Sequence, residues 1–65
     1  MLDAFIKMLD QADFISGYEQ KESEIYYYGE LVKVIVILIP LAENGKKIAH
    51  IFHAGTETLI DIQEY

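Results

Sequence analysis

Two histidines, His50 and His53, are the only side chains here whose ordinary chemistry moves protons near neutral pH. They lie three apart in the run IAHIFHA, so on a strand they point to opposite faces and cannot share a metal ion. Asp61 or Glu57 would have to complete a ligand set, and no spacing in the sequence supplies one. No metal and no other cofactor is therefore expected. If strands over 47–54 and 58–63 are joined by a two-residue turn at Gly55-Thr56, His50 falls opposite Asp61. That pair would be either a proton-transfer dyad or a charge-assisted hydrogen bond at the rim of a contact surface. The dyad lacks a nucleophile. There is no cysteine, and Ser16, Ser23, Thr56 and Thr58 sit in no nucleophile motif. The hydrogen bond is the preferred reading, and the chain is not expected to be an enzyme.

The run Tyr26-Tyr27-Tyr28 is the other feature with chemical potential. Aromatic platforms that stack nucleotide bases lie in basic grooves, whereas Glu22, Glu24 and Glu30 flank this one. The chain carries 11 acidic against 5 basic residues, a net charge of -6. Direct binding of nucleic acid is therefore not expected. The glycines fall at expected turns and form no phosphate-binding loop. The charge suits a second reading: an acidic, nucleic-acid-mimicking inhibitor of a DNA- or RNA-binding protein. That reading requires Asp3, Asp10, Asp13, Glu19, Glu22 and Glu24 to share one surface.

The elements that must position these residues are ordered around Leu31–Ala42, LVKVIVILIPLA. Branched residues dominate it, which favours a strand, and both of its faces are apolar. Ahead of it, Leu2, Phe5, Ile6, Leu9 and Ala12 recur at helical spacing, giving an amphipathic helix over 2–15 that Ser16-Gly17 would end. Strands are expected over 24–28, 31–41, 47–54 and 58–63. Gly29-Glu30 fits a type II′ hairpin, placing Tyr26 opposite Lys33 and Ile25 opposite Val34. Asn44-Gly45 fits a second two-residue hairpin, placing Ile39 opposite His50 and Ile37 opposite Phe52. The fold class is α+β: one N-terminal helix packed on one face of a three- to four-stranded antiparallel β-meander, a single domain over 1–65.

These registers divide the sheet into two faces. One carries Ile25, Tyr27, Val32, Val34, Val36, Leu38, Ala49, Ile51, Ile60 and Ile62, and the helix is expected to cover it. The other carries Tyr26, Tyr28, Lys33, Ile35, Ile37, Ile39, Leu41, His50, Phe52, Leu59 and Asp61. Nothing in the sequence is left over to cover that second face. A contiguous apolar patch with aromatic residues at its edge marks an interaction site. The expected function is a small non-enzymatic accessory protein that self-associates, as a homodimer stacked through this face, and binds another protein. Ile37→Lys would then break the assembly.

A domain this small has a marginal core, and with no cysteine the remaining support is association. The start MLDAFIKMLD lacks the basic region of a secretory signal, and Leu31–Ala42 is too short for a spanning helix. A cytoplasmic protein that does not engage membranes is expected. The leading helix, the Asn-Gly hairpin and the closing FHAGTETLIDI resemble small acidic hypothetical proteins of phage and prophage genomes, with Phe52, Gly55, Leu59 and Ile62 as the matching positions. The resemblance implies a helix followed by a β-meander and an accessory role. It implies no catalytic residue.

Overall fold

The computed structural model describes residues 1–12, 17–40 and 45–64. Helix α1 (Leu2–Gln11) is followed by β1 (Glu19–Tyr27), β2 (Glu30–Pro40), β3 (Lys47–His53) and β4 (Leu59–Glu64). The strands form one antiparallel sheet in the order β1-β2-β3-β4. The α+β meander is as the hydrophobic pattern requires. No helix among the described residues is long and apolar enough to cross a membrane.

Helix α1 is shorter than its periodicity suggests. Ala12 is already extended at φ -88°, ψ 105°, while its N–H still reaches the Leu9 carbonyl. The expected continuation through residue 15, and the stop at Ser16, lie outside the described residues. A helix of this length is marginal in water, so packing must hold it. Leu2 and Leu9 are buried, with Phe5 and Ile6 packed beside them.

The helix lies on the face opposite to the one expected. Leu2 and Leu9 meet Ile37 and Phe52, which are 0% and 1% exposed, and Ile35, Ile39 and Leu59 pack around them. The Phe5 ring lies 4.8 Å from His50 and 5.3 Å from Phe52, both tilted. Opposite the helix this face offers Ile35, Ile37, Ile39 and Phe52, where the other offers Val34, Val36, Leu38, Ala49 and Ile51. It therefore yields more apolar area, and ring contacts besides. On the far face Val34, Leu38, Ala49 and Ile51 are nevertheless buried, while Ile25, Tyr27, Val32 and Val36 are half-buried. Asp61 on β4 acts electrostatically on the Tyr27 hydroxyl of β1.

Three registers differ from expectation. Tyr28 and Gly29 both have positive φ, 51° and 80°, as a type I′ turn requires. The turn therefore falls one residue earlier than Gly29-Glu30. Tyr26 faces Leu31 rather than Lys33, and Ile25 faces Val32 rather than Val34. The β2–β3 register also differs from that of a two-residue Asn44-Gly45 turn: the described pairs end at Pro40 with Lys47, and Ile37 lies opposite His50 and Ile39 opposite Ile48. Residues 41–44, including Leu41 and Asn44, lie outside the described residues. Both changes move each partner by two positions, so every side chain keeps its face.

The third change does not preserve the faces. Phe52 pairs with Leu59, but the next pair is Ile51 with Asp61, so Ile60 is the extra residue of a β-bulge. Beyond it Ile62 joins the helix side and Asp61 leaves it.

Ile37 now sits at the centre of the helix–sheet contact. Ile37→Ala should cost about 3 kcal/mol in urea denaturation. Ile37→Lys should leave the chain unfolded rather than merely dissociated, because the ammonium would be buried without a partner. A folded Ile37→Lys variant with its helical circular dichroism intact would disprove this placement.

Candidate interaction surface

The contact surface expected from the sequence is divided by the fold. Ile35, Ile37, Ile39, Phe52 and Leu59 belong to the helix-packed cluster. Asp61 is on the opposite face, across from Ile51. Tyr26, Tyr28 and Lys33 remain outside the helix's cover and exposed.

The expected His50–Asp61 pair does not form, because the Ile60 bulge places Ile62 opposite His50. The Asp61 carboxylate instead accepts the Ile62 N–H at 2.8 Å and the Gln63 side-chain amide at 2.7 Å. His50 is set between Ile37 and Ile62 beneath the Phe5 ring. Its Nδ1 is buried and has no hydrogen-bond partner, a cost of about 1 kcal/mol or more. His53 points to the other face and has a structural role. Its Nδ1 accepts the N–H groups of Gly55 at 3.1 Å and Thr56 at 3.3 Å, which fixes the turn into β4. A Cβ on Gly55 would stand 3.1 Å from the His53 ring, so this turn fits glycine closely. Among the described residues no three His, Asp or Glu side chains converge to hold a metal.

Met1, Met8 and Ile62 are exposed elsewhere, and a further exposed apolar surface lies at the end of the β1–β2 hairpin. The last β2–β3 pair is Val34 with His53, and one further bond runs from the Ala54 N–H to the Lys33 carbonyl. From Ile25 to Val32 the hairpin therefore has no third strand beside it among the described residues. Tyr26 and Leu31 are cross-strand partners there, 78% and 56% exposed, and Tyr28 in the turn is 90% exposed. The Tyr28 ring touches Tyr27 edge-on at 4.5 Å. Toward the body of the sheet this surface continues into an open groove of about 480 Å³. Its borders include Glu22, Glu24, Lys33, Ile35 and Ala54. Leu31 was missed from the sequence, and a turn centred on Tyr28-Gly29 would have indicated it.

Of the six acids of the mimicry reading, Glu19 lies apart from Glu22 and Glu24. Glu22 and Glu24 lie on the helix side of β1. Glu19 lies on the other face, within ion-pair distance of Lys21 and Lys47. Asp3 and Asp10 are on the helix, and Asp13 lies outside the described residues.

No family model, curated protein or solved structure matches this chain.

Two tyrosines are held protonated beyond their ordinary value of about 10. Tyr18 is raised chiefly by donating its hydroxyl to Asp10 at 3.1 Å, then by burial and the negative charge of that carboxylate. Tyr27 is raised by burial first, then by Tyr28 and by Asp61. A phenol with a raised value in the folded state favours folding below the ordinary range and loses that contribution as pH rises through the raised value. Ultraviolet titration should therefore show two of the five tyrosines ionising late. Asp10→Ala should return one to the ordinary range, and an unchanged curve would dismiss the Tyr18–Asp10 bond. His53→Ala should lower stability by about 1–2 kcal/mol through loss of two turn bonds. A smaller loss than for an exposed control such as Lys7→Ala would contradict the role given to His53.

Proposed function

We propose that this chain is a small non-enzymatic protein-binding module, and that the tip of its β1–β2 hairpin makes the contact. The observation that carries this reading is the backbone of Tyr28. A side chain in the left-handed region costs about 1 kcal/mol relative to glycine, and asparagine is tolerated there. Tyr28 bears that strain at φ 51° while almost wholly exposed, its ring meeting Tyr27 edge-on. Strain kept by a large aromatic residue at so exposed a position supports a functional role for it. Tyr26 and Leu31 extend the same exposed surface, and tyrosine is a common anchor of protein interfaces.

A homodimer stacked through a sheet face has less support. The helix occupies the face expected to mediate it, and the aliphatic centre of the other face is already buried.

The test separates stability from binding. Tyr28→Asn should raise stability by about 1 kcal/mol by relieving the strained tyrosine. A photoreactive side chain at Leu31 should form discrete protein adducts in an extract of the source cells, and one at Gln11 should not. Tyr28→Asn should suppress those adducts. Adducts indifferent to Tyr28, or none at all, would overturn the proposal.

A further inference from the structure

We infer that His53 is a proton-operated clasp: protonating its imidazole opens the turn into β4 and loosens β4 from the sheet. This goes beyond the reading of the hairpin tip and does not depend on it.

The clasp rests on the direction of two hydrogen bonds. Nδ1 of His53 accepts the Gly55 N–H at 3.1 Å and the Thr56 N–H at 3.3 Å. To accept, Nδ1 must be bare, so the neutral ring carries its hydrogen on Nε2. An imidazolium carries a hydrogen on both nitrogens. Protonation therefore turns the acceptor into a donor aimed at two other donors, and both bonds are lost. The ring has little room to turn aside, since a Cβ on Gly55 would stand only 3.1 Å from its Cε1.

The turn depends on this one residue. Its other backbone bonds also close on His53: the His53 N–H donates to the Thr58 carbonyl at 2.8 Å, and the Glu57 N–H to the His53 carbonyl at 2.7 Å. Glu57 sits at φ 58°, a left-handed conformation that a residue other than glycine keeps only where its surroundings enforce it. β4 is a short outer strand interrupted by the Ile60 bulge, so the turn sets its register. Leu59 at its start packs into the helix-side cluster, and the Leu59 N–H meets Met1 Sδ at 3.1 Å. Opening the turn thus reaches from the sheet edge to the start of α1.

No carboxylate is placed to hold the added charge. On the His53 side of the sheet Glu30 lies on β2, Lys21 and Tyr27 on β1, Lys47 on β3 and Asp61 on β4, with Glu57 in the turn. Among the described residues none of the carboxylates is ion-paired with His53, and Asp61 is engaged by Ile62 and Gln63. The closed turn excludes a proton that the unfolded chain binds. Its contribution to stability is therefore present above the ordinary histidine range, about 6.5, and is lost as pH falls below it.

Amide hydrogen exchange of the isotope-labelled chain reads the clasp. From about pH 7.5 to about pH 5, protection of the His53 and β4 amides, corrected for intrinsic rates, should fall about tenfold, as expected for losing the two turn bonds. Amides between β1 and β2 should keep theirs. In His53→Asn the side-chain oxygen accepts the same N–H groups and does not titrate, so β4 should stay protected at both pH values. His53→Ala should leave it unprotected at both. Imidazole nitrogen resonances of the unmodified chain need no variant: Nδ1 should gain its hydrogen only as the Gly55 and Thr56 amide resonances move. Protection of β4 that ignores pH would overturn the inference. So would a pH dependence that persists in His53→Asn, as it would if His50 were the titrating group. A protonated Nδ1 with the Gly55 and Thr56 resonances unmoved would also overturn it.

Discussion

Everything in this small protein depends on the contact of Leu2 and Leu9 with Ile37 and Phe52. The helix is too short to persist alone, and a sheet that is apolar on both sides cannot stay in water uncovered. Each therefore supplies what the other lacks. The contact also settles which surfaces remain for anything else. Once the helix lies over Ile37, that face is closed, and the exposed apolar side chains of the hairpin are left beyond the helix's reach.

Much of the architecture was legible in the sequence. The three- and four-residue spacing of Leu2, Phe5, Ile6 and Leu9 gives the helix, and the branched run after Glu30 gives the central strand. The choice of face was not legible. Alternation separates Ile35, Ile37 and Ile39 from Val34, Val36 and Leu38, but both sets are apolar, and periodicity cannot rank them. What decides is the area the larger side chains offer and the rings that Phe5 can meet. The β1–β2 turn was legible to within a residue, and the two-position shifts of the β1–β2 and β2–β3 registers left the faces unchanged. The bulge at Ile60 left no mark in the pattern, because Leu59, Ile60 and Ile62 are all apolar and satisfy either phase.

The candidate surface was legible in composition but not in conformation. The tyrosine run stands out in the chain, and its acidic flanks argue against base stacking. That Tyr28 occupies a left-handed turn position is a property of backbone geometry. Residue preference alone puts Gly29 first in that turn, whereas the backbone puts it second. The His50–Asp61 pair failed for a related reason: one extra residue in β4 separates two groups that alternation alone would bring together. The orphan Nδ1 of His50 follows from that separation.

The last strand carries a further consequence. β4 is one of the two outer strands of the sheet, and its backbone could template pairing with another chain. There the Asp61 carboxylate already accepts the Ile62 N–H and draws in the Gln63 amide. A strand approaching this edge would have to break those bonds and lie against a negative charge. The bulge that carries Asp61 away from His50 thus accompanies a guard against open-ended sheet growth. At this edge the strand pairing that would extend the sheet is thereby disfavoured.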